Sequence, residues 1–264
     1  MAGAAVSARL ALLAAGLVAL GACASRGPAR PSGAAAPSAE AEAAFGSATT
    51  HCQGLRTVTF ELGLGGRAGD ERIRGRVLAG LASGGHARLE GLAPFGPPVF
   101  ILAARAEAAT LVLPRERRIL RDTPVAAVVE RLTGLPLGAD DLMAALTGCV
   151  GAGTAGGGRE WSGGWRGVSD PDGHAIWLRR QTGTWTVVAV DAGEWRADYR
   201  EPLNGFPRHV RLRTLDGRVD IEARVQQLEA NVPLEDAAFI VTPPADAEPM
   251  RLDELRGVAV LREP

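Results

Sequence analysis

Residues 123–148 read TPVAAVVERLTGLPLGADDLMAALTG, and this stretch contains two consecutive helix patterns. The first begins with Pro124 and places four apolar side chains on one helical face: Val125, Val128, Val129 and Leu132. The second repeats the arrangement with Leu142 and Leu146 and ends at Gly148. Segments with the pattern of β-strands lie on both sides of the helical pair. Strands, two helices and further strands in one chain indicate an α+β fold.

The strand-like segments alternate apolar and polar residues with a period of two. In residues 57–64, Phe60 and Leu62 face one way while Thr59 and Glu61 face the other. The polar stripes are rich in Arg and Glu, as on the solvent face of an antiparallel sheet. We therefore expect one curved antiparallel sheet with the helices laid on it.

Three further segments have their own patterns. An N-terminal helix is expected from Ser38 to Ala48, with Ser38 as its N-cap. Residues 151–164 are rich in glycine and are expected to form a loop, and residues 228–239 a short helix or turn. The glycine-rich segment lacks the strand-to-helix context of a phosphate-binding loop, so it gives little support to nucleotide binding.

The composition excludes several functions. The 264 residues carry 29 basic and 30 acidic side chains, for a net charge of -1, and every basic side chain is Arg. Without a basic excess the chain is not suited to a nucleic-acid backbone. Without Lys it has neither a Schiff-base lysine nor a Walker-type phosphate loop. Because it also lacks the H-E-x-x-H and G-x-S-x-G motifs, we expect that it is not an enzyme.

The N-terminus has the features of an export signal. Arg9 precedes an apolar run from Leu10 to Leu20, which has the length of a signal-peptide core and is too short to span a bilayer. The adjoining Leu20-Gly21-Ala22-Cys23 resembles the lipobox of bacterial lipoproteins, in which the signal peptide is removed and the cysteine is acylated. An ordinary secretory signal with an incidental cysteine is the alternative.

These features divide the chain into three parts. Residues 1–22 are expected to be the signal peptide, residues 23–37 the lipidated Cys23 with a flexible tether, and residues 38–264 the folded domain. The Pro, Ala, Ser and Gly composition of the tether does not support a packed core, and its extended reach is about 40 Å. Ala24 after the cysteine favours the outer membrane. No cofactor is expected beyond the covalent lipid on Cys23.

Cys52 and Cys149 are the cysteines left for the folded domain. An even number in an exported protein favours one disulfide, with two free buried thiols as the alternative. The four histidines are His51, His86, His174 and His209. None of them has a ligand-like spacing with either cysteine, so no metal site is expected.

Residues 88–96 read RLEGLAPFG, residues 132–136 read LTGLP, and Leu142 is followed by LTG at residues 146–148. With these pieces, the segment from Leu89 to Gly148 resembles the core of LolB, the outer-membrane lipoprotein receptor, and the wider group of its periplasmic carrier LolA. Residues 193–199, GEWRADY, and Phe206-Pro207 before an alternating strand extend the resemblance over residues 50–230. The order and spacing of these pieces, together with the lipobox, carry the similarity.

The resemblance implies a half-barrel of about eleven antiparallel strands, with helices covering its concave face. It also implies a cavity for the acyl chains of other lipoproteins, lined by Phe60, Leu62, Val125, Val128, Val129, Leu132, Leu142 and Leu146. A dry, packed core is the alternative for these residues. The loop Pro94-Phe95-Gly96 is further implied to insert Phe95 into the membrane boundary. A phenylalanine folded back onto its own sheet is the alternative.

Three functional hypotheses follow. The first is an outer-membrane lipoprotein, anchored on the periplasmic face, that binds acyl chains of other lipoproteins and assists their insertion into the membrane. Its expected partners are acylated lipoproteins, a LolA-like periplasmic carrier and the membrane, and it is expected to be a monomer. The second is a lipoprotein of the same fold that binds or senses lipids or a partner without transfer. The third is an enzyme of unknown type.

Overall fold

The structure, a computed structural model, describes residues 29–257. Cys23, the expected signal peptide and the start of the expected tether lie outside the described residues. Within them, one sheet of fifteen strands accounts for most of the folded chain. The strands are β1 Ala36–Pro37, β2 Thr57–Ala68, β3 Glu71–Ala82, β4 His86–Leu92, β5 Phe100–Arg105, β6 Ala108–Leu113, β7 Arg118–Pro124, β8 Gly156–Trp161, β9 Trp165–Ser169, β10 Ala175–Gln181, β11 Thr184–Ala192, β12 Trp195–Leu203, β13 Phe206–Thr214, β14 Val219–Ala230 and β15 Glu248–Pro249.

The strand order across the sheet is β1-β8-β9-β10-β11-β12-β13-β14-β2-β3-β4-β5-β6-β7-β15. Neighbouring strands are antiparallel, except that the two-residue β15 runs parallel to β7. Strand β14, late in the chain, pairs with β2, so the first and second strand groups join at the middle of the sheet. The sheet stays open, with the two-residue strands β1 and β15 at its margins.

The expected number of about eleven strands is wrong, since fifteen are present. Part of the difference is the glycine-rich segment expected to be a loop, in which residues 156–161 form β8 while residues 151–154 and 162–164 are turns. Glycine is needed there because a Cβ on Gly158 would lie 2.3 Å from the carbonyl oxygen of Ser38. The expected helix or turn from residue 228 is also wrong at its start, because β14 continues to Ala230 in register with Val58.

In residues 29–257, three α-helices pack on the sheet: α1 Ala39–Ala48, α2 Val125–Thr133 and α3 Ala139–Thr147. Short 3₁₀ helices lie at Thr50–Cys52, Asp236–Phe239 and Leu252–Gly257. Ser38 caps α1 as expected, because its hydroxyl oxygen accepts from the Ala41 N–H at 3.2 Å. Helix α2 differs slightly from expectation, since Pro124 is the N-cap and Val125 the first helical residue. None of the described residues belongs to a helix of the length and apolarity that crossing a bilayer requires.

The sheet curves around the helices. Helix α3 contacts β3 and β4 and also β13, although two strands, β14 and β2, separate β13 from β3. Helix α3 contacts the two strands between them less than it contacts β13 and β3, as expected where the sheet curves away beneath a helix, so α3 lies in the concave face. Helix α1 packs on β8, β9 and β11, and α2 packs on β6 and β7. The expected curved open sheet with helices packed on it is confirmed.

Turns alternate between the two ends of the strands because the strands run antiparallel. The β4–β5 loop, which contains Phe95, therefore lies at the same end as the β13–β14 turn and the β2–β3 turn. The β12–β13 turn after Leu203 lies at the opposite end. We call the first end the loop end of the sheet, defined by residues 93–99, 69–70 and 215–218.

Candidate functional site

The eight residues expected to line a cavity lie together beneath the helices. Seven of them are at most 9% exposed, and Leu132 is half-buried at the margin of the same apolar cluster. Strand β2 contributes Phe60 and Leu62 because its alternation turns these side chains toward the concave face. Helices α2 and α3 contribute the remaining six from their apolar faces.

The space between these residues is filled by side chains. The link between α2 and α3 adds the buried Leu135 and Leu137, and the C-terminal segment adds the buried Met250 and Leu255. Among the described residues the interior is a buried apolar cluster, as in the packed-core alternative that the sequence left open, and the acyl-chain cavity stays a prediction. The sequence reasoning did not count these four additional apolar side chains.

Helix α3 is fixed at both ends. At its N-terminus, the Ala139 N–H donates to the two carboxylate oxygens of Glu107 at 2.9 and 3.2 Å, and the Gly138 N–H donates to Asp141 Oδ2 at 3.1 Å. Carboxylates at this end also interact favourably with the helix dipole. At the C-terminal end, Cys149 follows the helix and is bonded to Cys52. Helix α3 is therefore bonded to the rest of the fold at both of its ends.

Helix α2 is held differently. Its residues make no ion pair with the sheet among the described residues, and its Val125 N–H donates to the Glu107 carbonyl oxygen at 3.0 Å. The contacts of α2 with β6 and β7 come from apolar side chains. The helix ends at Gly134, whose φ is +81°. Helix α2 thus packs on the sheet through apolar contacts, which are not directional, and it also packs against the 3₁₀ helix Leu252–Gly257.

The loop between β4 and β5 exposes Phe95. Its side chain is 88% exposed, the highest value among the large apolar residues exposed in the described chain. Pro94 and Gly96 are exposed beside it, and Gly96 has a φ of +81°, a backbone conformation that glycine adopts without steric cost. The alternative of a phenylalanine folded back onto its own sheet does not describe this side chain.

The backbone of this loop is fixed even though its tip is exposed. Arg115, on the turn after β6, donates from Nη2 to the carbonyl oxygen of Phe95 at 2.8 Å. At the base, the Val99 N–H donates to the Gly91 carbonyl oxygen at 2.8 Å, and the Phe100 ring lies against Gly91, where a Cβ would be 2.4 Å from the ring. The loop thus presents an apolar ring on a supported backbone.

Cys52 and Cys149 form a disulfide, with their Cα atoms 5.7 Å apart. His51 faces it, with Nε2 3.4 Å from Cys52 Sγ and 3.8 Å from Cys149 Sγ. Burial lowers the pKa of His51, against the opposing effect of backbone hydrogen bonds with Thr147 and Ala48. Its imidazole is therefore neutral at pH 7. Sequence reasoning missed this cluster because the approach of His51 to Cys149 depends on the fold and not on spacing.

A small depression adjoins this cluster. His51, Gly148 and Tyr199 are among its lining residues, and its water-accessible space is about 10 Å³, room for about one water molecule. The Tyr199 hydroxyl is buried and has no hydrogen-bond partner among the described residues. Burial raises the pKa of this phenol well above its usual range, with the charge of Asp198 adding to the effect. The depression is far too small for an acyl chain.

A second cluster of candidate ligand residues lies at the β9–β10 turn. Asp170, Asp172 and His174 bring their ligand atoms within 4.8 Å of one another. His174 Nδ1 lies 2.7 Å from Asp170 Oδ2, and the His174 N–H donates to Asp170 Oδ1 at 2.8 Å. Asp170 and His174 thus bond to each other across the turn, and Asp172 is exposed beside them.

Comparisons with known proteins give similarities of fold. No family model matches the chain, and no curated protein matches it. A LolA superfamily protein from Nitrosomonas europaea is 10% identical, with 76% of this chain and 97% of that one covered and a TM-score of 0.49. A DUF1329 family protein from Desulfovibrio piger is 13% identical, with coverages of 76% and 97% and a TM-score of 0.47.

A third solved structure is a domain described as an outer membrane lipoprotein-sorting protein from Vibrio parahaemolyticus. It is 11% identical, with 75% of this chain and 97% of that one covered and a TM-score of 0.45. The LolA group that the sequence resembles is thus present among the similar structures. No activity follows from similarities at this level.

Proposed function

We propose that this protein is a lipoprotein of the bacterial envelope, anchored to the periplasmic face of the outer membrane, that binds acyl chains of other lipoproteins and assists their insertion into the membrane. The observation that carries the proposal is Phe95, 88% exposed on a loop whose backbone is fixed. The protein acts by binding and release, without covalent chemistry and without a cofactor beyond its own lipid on Cys23.

Phe95 supplies the contact with the membrane. Single exposed apolar side chains are common on soluble proteins, so membrane contact is inferred from the place of Phe95, at the tip of a loop at one end of the sheet, where a bilayer can reach the ring. Transfer of the ring into the bilayer boundary recovers about 1.5–3 kcal/mol. Because Arg115 and the base of the loop fix the backbone, little conformational entropy is lost when the ring inserts.

The apolar interior supplies the binding site for acyl chains. In the packed state described above, its lining is aliphatic or aromatic and its space is filled. An acyl chain enters when α2 moves away from β6 and β7, and the chain then replaces the apolar contacts that the helix loses. Helix α3 remains in place because Glu107 and the disulfide fix its two ends. Binding is therefore coupled to a displacement of α2.

The tether allows the domain to reach the bilayer in more than one orientation. With an extended reach of about 40 Å from the lipidated Cys23, the loop end can contact the membrane while the anchor stays inserted. The donor in this proposal is a LolA-like periplasmic carrier loaded with an acylated lipoprotein. The protein receives the acyl chains as a monomer. Phe95 then brings the loop end of the sheet to the membrane, where the acyl chains leave the interior.

A second candidate function is binding or sensing of lipids or of a partner without transfer. The filled interior favours it, since a packed core needs no ligand to be stable. The fixed position of α3 favours it as well, because one of the two covering helices is tied to the fold. The two candidates share the fold and the anchor, and they differ in whether acyl chains enter the interior and leave it.

A photo-crosslinking experiment tests the proposal. A benzophenone amino acid replaces Leu132, which is half-buried at the margin of the interior, or Leu203, which is exposed at the opposite end of the sheet from Phe95. Both proteins carry Cys23→Ser and are irradiated with a fluorescent tripalmitoyl lipopeptide. We expect lipopeptide to be captured at position 132 and not at position 203. Equal capture at the two positions, or none at either, would overturn acyl-chain binding in the interior.

A further inference from the structure

We propose that reduction of the Cys52–Cys149 disulfide creates a site for Zn²⁺, with the two cysteine thiolates and His51 Nε2 as ligands. The proposal is independent of the proposed function. All three ligand atoms lie within 4.8 Å of one another in the oxidised protein. They come from two places in the chain, the 3₁₀ helix Thr50–Cys52 and the residue that follows Gly148 at the end of α3.

The distances are those of a zinc site. With Zn–S bonds of about 2.3 Å and Zn–N bonds of about 2.0–2.1 Å, tetrahedral geometry places a sulfur and a nitrogen ligand about 3.5 Å apart. Nε2 of His51 is 3.4 Å from one sulfur and 3.8 Å from the other. Two of the three ligand separations are thus present before the metal arrives. The third, between the sulfurs, opens when the disulfide is cleaved.

The imidazole is held in this position by its surroundings. The ring of His51 meets the ring of Phe206 edge-on, with centroids 4.7 Å apart and an interplanar angle of 82°. Gly205 provides the space for it, because a Cβ there would lie 2.5 Å from His51 Nδ1. Contacts that orient a metal-ligating histidine raise its affinity. His51, Cys52 and Cys149 are half-buried, so a reductant and a hydrated cation can reach them.

The chemistry balances with a dithiol reductant of the thioredoxin class. The reductant transfers two electrons and two protons, its own sulfurs form a disulfide, and the Cys52–Cys149 bond is cleaved to two thiols. Binding of Zn²⁺ releases the two thiol protons to solvent as two Zn–S bonds form, and the neutral imidazole adds a Zn–N bond. A water molecule takes the fourth position, as in zinc sites with three protein ligands.

The metal replaces the covalent link between the end of α1 and the end of α3. The oxidised chain joins these two segments through the disulfide, and the reduced chain joins them through Zn²⁺. The site therefore lets the chain take up a thiophilic cation under reducing conditions and keeps the two helix ends together while the disulfide is absent. The cluster at Asp170, Asp172 and His174 has no sulfur ligand and is distinguished from this site spectroscopically.

Cobalt binding tests the proposal. The full chain with Cys23→Ser is reduced with a phosphine, freed of reductant without oxygen, and titrated with Co²⁺ and then Zn²⁺. We expect one Co²⁺ per chain with a thiolate-to-cobalt charge-transfer band, displaced by Zn²⁺, and no such band in the oxidised protein. The variant His51→Ala should lower the affinity by at least about tenfold, while His209→Ala, the matched control, should leave it unchanged.

A second readout does not depend on a variant. Zn²⁺ should protect both Cys52 and Cys149 of the reduced protein from alkylation and should raise its melting temperature. A reduced protein that gives no thiolate–cobalt band, or whose cysteines are alkylated equally with and without Zn²⁺, would overturn the proposal. An affinity of His51→Ala equal to that of the parent protein would remove His51 from the site and overturn it as stated.

Discussion

Arg115 donates a hydrogen bond from Nη2 to the carbonyl oxygen of Phe95, 2.8 Å away, across the gap between two neighbouring turns. The guanidinium thus lies beneath the loop while the aromatic ring remains 88% exposed above it. The hydrogen bond holds the backbone of the loop and leaves the aromatic side chain exposed. Membrane contact through this loop requires both the fixed backbone and the exposed ring.

The variant Phe95→Glu should weaken binding of the Cys23→Ser protein to phospholipid vesicles by about 10- to 100-fold. The reason is the loss of about 1.5–3 kcal/mol of ring burial and the addition of a charge at the bilayer boundary. Vesicle sedimentation measures the effect. The matched control is Leu203→Glu, which charges an exposed apolar residue at the opposite end of the strands. Equal binding by the two variants would contradict a membrane contact through Phe95.

The variant Arg115→Ala should weaken vesicle binding by about two- to fivefold while Phe95 is retained, because one hydrogen bond of about 0.5–1 kcal/mol no longer fixes the loop. Arg117→Ala is the control, since it removes the same charge from the same turn and Arg117 pairs with Asp246 instead of the loop. The measurement compares the dissociation constants of Arg115→Ala and Arg117→Ala for vesicles at one salt concentration. If both variants bind equally weakly, the effect is one of charge, and the hydrogen bond plays no part.

The variant Phe60→Ala should lower the free energy of unfolding by about 3–5 kcal/mol, because it leaves a cavity in a filled core. Leu203→Ala, at an exposed position, should change it by no more than about 0.5 kcal/mol. Denaturant titrations give the free energy of unfolding of both variants, fitted with one common dependence on denaturant concentration. A loss below about 1 kcal/mol for Phe60→Ala would mean that the interior is open in solution and that the packed state is not the resting one.

Acid should remove the stabilisation that Asp220 provides. Its carboxylate accepts from Arg211 Nε at 2.7 Å and from Nη2 at 2.6 Å, and these bonds lower the pKa of Asp220 in the folded protein. The contribution is therefore present above the ordinary carboxyl pKa of about 3.9 and is lost as the pH falls through the lowered folded value.

The measurement is the difference in unfolding free energy between the parent protein and Asp220→Asn. It should be constant between about pH 5 and pH 7 and should shrink below about pH 4, since the unfolded carboxyl then takes up its proton. Asp236→Asn, which removes a pair exposed on both sides, should be close to neutral throughout. A difference for Asp220→Asn that is the same at pH 3 and pH 7 would exclude this linkage.

Local patterns predicted much of this fold. The alternation in β2 predicted which side chains face the helices, because a period of two encodes the buried face of a strand directly. The helical spacing around Val125 and Leu142 predicted α2 and α3, and the Pro94–Gly96 turn predicted an exposed Phe95. In each of these cases the information lies within about ten residues of sequence.

Features that depend on distant contacts were missed. Gly158 lies in a strand against which α1 packs closely. The residues around Gly158 in the sequence do not indicate that contact with α1. His51 faces Cys149 only after the sheet has curved. Whether Phe60 lines a cavity or a core depends on Leu137 and Leu255, which arrive from other segments. Packing density is a property of the assembled chain and not of any one of its patterns.

The most direct test of the central claim is transfer of a fluorescent tripalmitoyl lipopeptide from the loaded protein into vesicles that carry an acceptor dye. The account predicts transfer well above the spontaneous rate, unchanged by Leu203→Glu and slowed about tenfold or more by Phe95→Glu. Transfer at the spontaneous rate from a protein that has bound the lipopeptide would contradict insertion and leave binding without transfer as its function.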